Sequence, residues 1–434
     1  MTSPKAVSNP RGMRDLKPEE MRVRERIFER VKKVFRLYDF EPLETPALES
    51  WEVLSAKGAG GEEILNETYN FEDRGGRRVG LRYDLTVPLA RFVAMNPSMP
   101  LPFRRYQIDR VWRYGDVARG RLREFWQADI DIVGSESMLA DAEVVACTVD
   151  VFKGLGFKNF VVRLNNRKIL SAMVKFAGVE GNKVDDAFRT IDKLEKVGRE
   201  KVLEELSQRG ISKEASKKLM ELLSVKGNPE YALEKAEKLI GGIEQGGEGI
   251  AELRELLFYL KKMEVEENLK VDFSLARGMD YYTGPIFEVF LSGGIGSVAG
   301  GGRYDRMIGL FLGREIPATG ISFGIERIAE VMGQSGSDKV SEKRVFIACV
   351  DENSLDEALG IAKKFRENSV AAIFDLRKRS LAKQLNYADS LKVPYVVIIG
   401  KEEMEKGKVK LRNFVTGEEK LLGADECVEL IKNN

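Results

Sequence analysis

The stretch Glu124-Phe-Trp-Gln-Ala-Asp-Ile-Asp-Ile-Val133 alternates between apolar and polar residues and reads as a strand with two unlike faces. A period of two sets Gln127, Asp129 and Asp131 on one face and Trp126, Ala128, Ile130 and Ile132 on the other. One face belongs to a core and the other carries acids and an amide. Residues 103–113 read as the hairpin partner, and the connecting residues 114–123 hold Arg119, Arg121 and Arg123 near Gly115 and Gly120. Guanidinium groups beside an acidic sheet face suit a ligand with a phosphate at one end and an amine at the other. The same pattern also describes a solvated hairpin with surface ion pairs.

A second constellation lies in Leu275-Ala-Arg-Gly-Met-Asp-Tyr-Tyr-Thr-Gly-Pro-Ile-Phe-Glu-Val-Phe290. A turn holding Arg277, Gly278 and Asp280 leads through Tyr281 and Tyr282 to a strand that starts after Gly284-Pro285. Glycines follow at 293, 294, 296 and 300–302, ending in Arg303-Tyr304-Asp305, and they let backbone approach a ligand closely. They form neither a P-loop nor the dinucleotide fingerprint, because the required spacing and the Gly-Lys-Ser/Thr ending are absent.

Outward from these two sites, residues 18–38 predict an amphipathic helix opened by Pro18, followed by extended, proline-marked residues 40–46 suited to an edge or interface strand. Another helix fits residues 137–155. Lys- and Glu-rich helical periodicity fills residues 170–269, and strand-like sequence resumes at residues 271–325 before a helix over 324–332. After a Gly/Ser-rich linker, residues 333–343, strand and helix alternate as in a small α/β domain. The expected division is therefore 1–169 and 270–332 for a split core, 170–269 for an insertion and 344–434 for a terminal domain.

Composition limits the chemistry. The 434 residues include no histidine, which excludes Ser-His and Cys-His nucleophile pairs and His-ligated zinc. Lys plus Arg, at 70, balances Asp plus Glu, at 69, so attraction to nucleic acid requires local basic patches rather than net charge. Cys147, Cys349 and Cys427 show no CxxC spacing and suit a reducing cytoplasm. No apolar run is long enough to span a bilayer, so no membrane association is expected.

Residues 277–284 closely resemble the histidine-specific signature of the histidyl-tRNA synthetases, and Gly300-Gly-Gly-Arg-Tyr-Asp305 resembles the glycine-rich strand that follows it in that family. Residues 40–46, 103–133 and 319–327 resemble class II motifs 1, 2 and 3, and Arg11-Gly12-Met13 and Leu164-Asn-Asn-Arg167 also fit, so the likeness runs in order along nearly the whole chain. It implies an α+β catalytic core with an antiparallel sheet of the class II synthetase type, a helical insertion and a C-terminal α/β domain of the anticodon-binding type. It also implies a homodimer formed through motif 1, with ATP, Mg²⁺, histidine and tRNA(His) as cofactors and partners. By motif position, Arg113 and Arg277 would serve the α-phosphate, while Arg121 and Arg327 would serve the outer phosphates. Asp84, Thr86 and Gln127 would hold the α-amino group, and Asp131 and Tyr282 the imidazole. Arg277 itself, Tyr281 and Tyr304 complete the expected histidine pocket. Bacterial members often carry Glu at position 131, so Asp131 follows the archaeal and eukaryotic pattern. Arg119 and Arg123, and Arg377 and Arg379 in the terminal domain, are candidate tRNA contacts.

Two rival readings share parts of this pattern. One is a non-charging, histidine-binding regulatory paralogue of the ATP phosphoribosyltransferase type, which lacks the anticodon domain and the insert. The other is a class II synthetase for another amino acid, against which stands the signature at 277–284. For the histidine-charging enzyme that the resemblance implies, the absence of histidine predicts that its own translation is insensitive to a shortage of charged tRNA(His). Under histidine limitation this chain should be made at higher yield than a version carrying several surface histidines. Equal yields would remove the idea.

Overall fold

The computed structural model describes residues 7–56, 61–191, 193–225, 227–276, 281–292, 296–334 and 343–433. The chain divides into two compact units, residues 1–336 and 337–434. None of the helices among the described residues is long and apolar enough to cross a membrane.

The first unit is built on an eight-stranded sheet: β1 (Glu41–Pro42), β2 (Phe103–Trp112), β3 (Glu124–Val133), β4 (Phe160–Asn166), β5 (Leu269–Val271), β6 (Pro285–Leu291), β7 (Ser297–Arg303) and β8 (Ala318–Gly324). Their spatial order is β1-β2-β3-β8-β7-β6-β4-β5. The six inner strands run antiparallel, and the short edge strands β1 and β5 pair in parallel with β2 and β4. The hairpin read from the sequence is β2 with β3, and residues 40–46 supply the edge strand β1. The central join is non-local, since β8 returns from far down the chain to pair with β3, Ser322 opposite Asp129 and Gly320 opposite Asp131.

The apolar face of this sheet is covered by the helices Pro18–Leu37 and Met138–Gly154. Ile27, Val31 and Phe35 of the first, and Val145, Val149 and Phe152 of the second, join Ala128, Ile130, Ile132, Phe287, Val289 and Phe323 in one core. Pro18 stands at the first helical position, where its missing N–H costs nothing. Between residues 167 and 262 the chain is almost wholly helical, ending in Glu244–Lys262. These helices are not a detached module: Ile169, Leu219, Leu253 and Leu256 belong to the same continuous apolar core as the sheet.

A smaller antiparallel sheet, Leu48–Ser50, Arg78–Leu81 and Asn70–Glu72, leads into the helix Thr86–Met95. The second unit has its own five-stranded sheet: β9 (Arg344–Cys349), β10 (Ala371–Phe374), β11 (Tyr395–Ile399), β12 (Val409–Asn413) and β13 (Glu419–Leu422), in the order β10-β9-β11-β12-β13. Its first three strands are parallel and lie between helix Leu381–Ser390 on one side and helices Leu355–Glu367 and Ala424–Asn433 on the other. The hairpin β12–β13 and the final helix have no counterpart in the sequence reading.

One buried ion pair ties β7 to the second covering helix. Arg303 binds the Asp141 carboxylate in that helix's first turn and donates to the carbonyls of Ser135 at 2.9 Å and Ser137 at 3.1 Å. Removing one partner of such a pair leaves a buried charge uncompensated, at a cost of about 3–5 kcal/mol. Arg303→Met should therefore lower the unfolding free energy of the first unit by that amount, and adding Asp141→Leu should restore part of it. Trp51, Trp112 and Trp126 all lie in this unit, so urea unfolding followed by tryptophan fluorescence reads it directly.

Candidate active site

Against the polar face of the eight-stranded sheet lies a cavity of about 440 Å³. Asp84, Thr86, Arg113, Arg121, Gln127, Asp131, Tyr281, Tyr282, Tyr304 and Arg327, all singled out from the sequence, line it together. Arg277 lies outside the described residues. Arg119 and Arg123 sit in the β2–β3 loop away from the cavity wall, and Arg377 and Arg379 belong to the second unit.

Each cavity side chain is held by its own element. Asp84 precedes the helix Thr86–Met95, where its Oδ1 accepts the Val87 N–H at 3.1 Å. Its Oδ2 has no hydrogen-bond partner among the described residues, and neither has Oε1 of Gln127. Burial pushes the Asp84 carboxyl up to about 6, against the backbone N–H bonds and Arg113, which hold it down. Arg113 donates from Nε to the Tyr83 carbonyl at 2.8 Å, and its guanidinium lies 5.5 Å over the Phe125 ring. Arg121 reaches within 3.7 Å of Glu67 and stays largely exposed.

Arg327 stands in the first turn of helix Ile325–Gln334 and donates to the Ser297 carbonyl. The start of that helix is fixed by Glu326, buried between Arg24 at 2.5 Å and the Trp126 N–H at 2.9 Å. Helix Pro18–Leu37 thereby sets the position of the neighbouring Arg327.

The opposite wall is aromatic and acidic. Tyr281 packs edge-on to Tyr282 and Tyr304, with ring centroids 4.9 Å and 5.8 Å apart, and burial raises the pKa of all three phenols. They are therefore neutral hydrogen-bonding groups at physiological pH. Oδ1 of Asp131 accepts the Tyr304 hydroxyl, and Oδ2 forms an ion pair 2.7 Å from Nη2 of Arg105 without an aligned hydrogen bond. Arg105 is fully buried and also donates to the Leu85 carbonyl at 3.1 Å. Burial raises the Asp131 carboxyl while Arg105 and Tyr304 oppose the rise.

Arg105 and Asp129 escaped the sequence reading as site residues, although the hairpin register sets Arg105 opposite Asp131. The strand alternation that exposed the acidic face predicts this once the register is fixed. The polar face of β3 is not solvated: Gln127, Asp129 and Asp131 are all buried. The bare backbone of β7 and β8 has a direct reason. A Cβ on Gly301 would sit 2.1 Å from the Gly320 carbonyl oxygen, and one on Gly320 would sit 2.0 Å from Oδ1 of Asp131.

The remaining arginines are partly committed elsewhere. Arg119 pairs with Glu330, and Arg123 stacks 3.6 Å over Tyr114 while its backbone N–H donates to the Gly12 carbonyl at 2.9 Å. Arg11-Gly12-Met13 is thereby joined to the β2–β3 loop. No group of three or more His, Cys, Asp or Glu side chains gathers as a metal site among the described residues.

Comparison with known proteins identifies a family. A family model described as histidyl-tRNA synthetase matches residues 12–328, and one described as anticodon binding domain matches residues 344–434. A histidine–tRNA ligase of Aeropyrum pernix is 41% identical over 98% of this chain and 97% of its own length. One of Thermococcus kodakarensis is 38% identical over 98% of each. The crystal structure of histidyl-tRNA synthetase from Nostoc sp. PCC 7120 superposes with a TM-score of 0.87 at 31% identity, covering 99% of both chains. Likeness of this extent, from the glycine at position 12 to the end of the terminal domain, means that the chain belongs to the histidyl-tRNA synthetase family.

Proposed function

We propose that this protein ligates L-histidine to tRNA(His) in two steps at the cavity on the polar sheet face. The observation that carries the proposal is the meeting of Arg113, Arg121 and Arg327, from separate segments, with an acidic and phenolic wall in one cavity. In the first step a carboxylate oxygen of histidine attacks the α-phosphorus of ATP. The bond to the bridging oxygen breaks, and pyrophosphate leaves with its electrons. Histidyl-adenylate remains. In the second step the 3′-terminal hydroxyl of tRNA attacks the activated carbonyl and AMP departs.

No protein nucleophile is needed, only preorganised charge and position. In this reading Arg113 and Arg277 neutralise the α-phosphate, and Arg121 and Arg327 the outer phosphates. Asp84, Thr86 and Gln127 take the three N–H donors of the α-ammonium group; two of these residues present unpartnered oxygens for it. Tyr281, Tyr282, Tyr304 and Asp131 form the imidazole end.

Mg²⁺ would be held mostly by phosphate oxygens and water, with one or two carboxylates of the cavity wall. When bound, it would offset charge that develops on the phosphates. The tRNA assignments at Arg119, Arg123, Arg377 and Arg379, the division at 170–269, 333–343 and 344–434, and a cytoplasmic homodimer belong to the same proposal. Leu37 and Leu48 flank the edge segment and are largely exposed, which supports pairing of two copies there. The regulatory alternative is not favoured, because the anticodon-binding family model covers residues 344–434.

Amino-acid-dependent ATP–pyrophosphate exchange, run in parallel with all twenty amino acids, should proceed with histidine alone. Exchange with another amino acid would reject the reading. Arg113→Ala and Arg277→Ala should each lower the exchange rate by roughly 10²-fold or more, the scale of losing one preorganised charge partner. An unchanged rate for either would remove that arginine from the phosphate site.

Within the same wall, Gly320→Ala should abolish exchange by pushing the Asp131 carboxylate off Tyr304 and Arg105. Circular dichroism would check that the variant remains folded.

A further inference from the structure

We infer that Asp129, rather than Asp131, is the carboxylate that receives the ring N–H of the bound histidine, and that Asp131 is a positioning residue for Arg105 and Tyr304. The inference rests on the proposed histidine site and reassigns one contact within it.

Both acids project from the same face of β3, so position along the strand does not choose between them. Their partners do. Asp131 has Oδ1 on the Tyr304 hydroxyl and Oδ2 in an ion pair 2.7 Å from the Arg105 guanidinium, without an aligned hydrogen bond. Its Oδ1 also lies where a Cβ on Gly320 would be, 2.0 Å away, so the carboxylate rests against the β8 backbone. A carboxylate so occupied has little left to offer a ligand.

Asp129 is 2% exposed, lines the cavity and has Oδ1 without a hydrogen-bond partner among the described residues. Its cross-strand neighbours leave that oxygen unsatisfied. Gln107, opposite on β2, is turned to Thr45 at 3.1 Å and Asp109 at 3.4 Å, and Oδ1 of Asp129 remains unpartnered beside Ser322 on β8. An oxygen left unpaired in a buried site is costly unless a donor arrives.

The donor count of the ligand settles which N–H that is. The α-ammonium has three, matched by Asp84, Thr86 and Gln127, which leaves the ring N–H for Asp129. The second ring nitrogen is an acceptor and suits the neutral Tyr282 hydroxyl. That phenol's pKa is raised first by burial, with the charges of Glu288, Asp131 and Asp129 adding to the rise. A site built this way should discriminate against a ring that lacks the N–H.

The test compares the full-length enzyme with its Asp129→Asn and Asp131→Asn variants in pyrophosphate exchange, using histidine and 3-(thiazol-4-yl)alanine, whose ring has no N–H. Asp129→Asn should raise KM for histidine by about 10- to 100-fold, the worth of a hydrogen bond to a charged group, while KM for ATP stays within about twofold. The preference for histidine over the thiazole should shrink by a similar factor. Asp131→Asn should keep that preference while lowering kcat and the melting temperature. If Asp129→Asn does not fold, Asp129→Ser provides the same readout.

An unaltered histidine KM and preference in the Asp129 variants, with the preference lost in Asp131→Asn, would overturn the inference and leave the histidine site standing. Wild-type enzyme without histidine-dependent exchange would end both.

Discussion

The cavity depends on the antiparallel pairing of β3 with β8, and within it on the absence of a side chain at Gly320. That absence lets the Asp131 carboxylate lie against the neighbouring strand, where it meets Tyr304 on one side and Arg105 on the other. Arg105 and Asp131 are both taken out of water, which costs several kcal/mol per ion before their attraction is counted. The phenol of Tyr304 and the carbonyl of Leu85 add hydrogen bonds to the pair, while Nε and Nη1 of Arg105 have none among the described residues. Replacing buried ion pairs by apolar residues of similar volume is often neutral or stabilising. What the charged network supplies is a fixed floor on which the Tyr281–Tyr282–Tyr304 cluster and the unpaired Asp129 oxygen keep their places.

The electrostatics of the site follow from what the chain lacks. With no histidine, it has no side chain whose ordinary pKa falls between about 5 and 8. Buried carboxylates move into that range instead. Desolvation brings Asp84 up to about 6 and Asp129 up to about 7; for Asp129, Arg105 opposes the rise and Asp131 adds to it. Each of these acids is neutral well below its raised value and charged well above it. An ammonium group on Asp84 and a ring N–H on Asp129 would each favour the charged carboxylate and pull its value down. Imidazole, absent from the protein, would enter the site only as part of its ligand.

Much of this was legible in the sequence because it is local. The alternation in residues 124–133 gives the strand, its faces and its hairpin partner, and Pro18 marks a helix start. Ten of the expected site residues line one cavity because each stands beside a strong local signal: a strand period, a glycine run or a helix entry. What escaped is non-local. Nothing near Asp131 in the chain says that Arg105 and Tyr304 saturate it, since that depends on the register of three strands. The helices of residues 170–269 read as an insertion because their Lys- and Glu-rich faces differ from the rest of the chain. Their buried faces, Leu219 and Leu253 among them, are continuous with the core of the sheet.

The basic run Arg377-Lys378-Arg379 shows why charge in a sequence is a poor guide to charge at a surface. Asp375, two residues before the run, accepts the backbone N–H of Arg377 at 3.1 Å and of Arg379 at 2.7 Å, and takes the Arg379 guanidinium at 2.6 Å. That guanidinium lies 4.2 Å over the Tyr387 ring, so it closes the turn before helix Leu381–Ser390. Lys378 pairs with Glu352 on the exposed surface, where such a bond is weak and easily exchanged. Of the three, Arg377 and Lys378 retain charge that a polyanion can reach, and Arg379 acts on the shape of the turn that presents them. A contact with RNA at this turn would therefore depend on Arg379 for geometry and on its two neighbours for attraction.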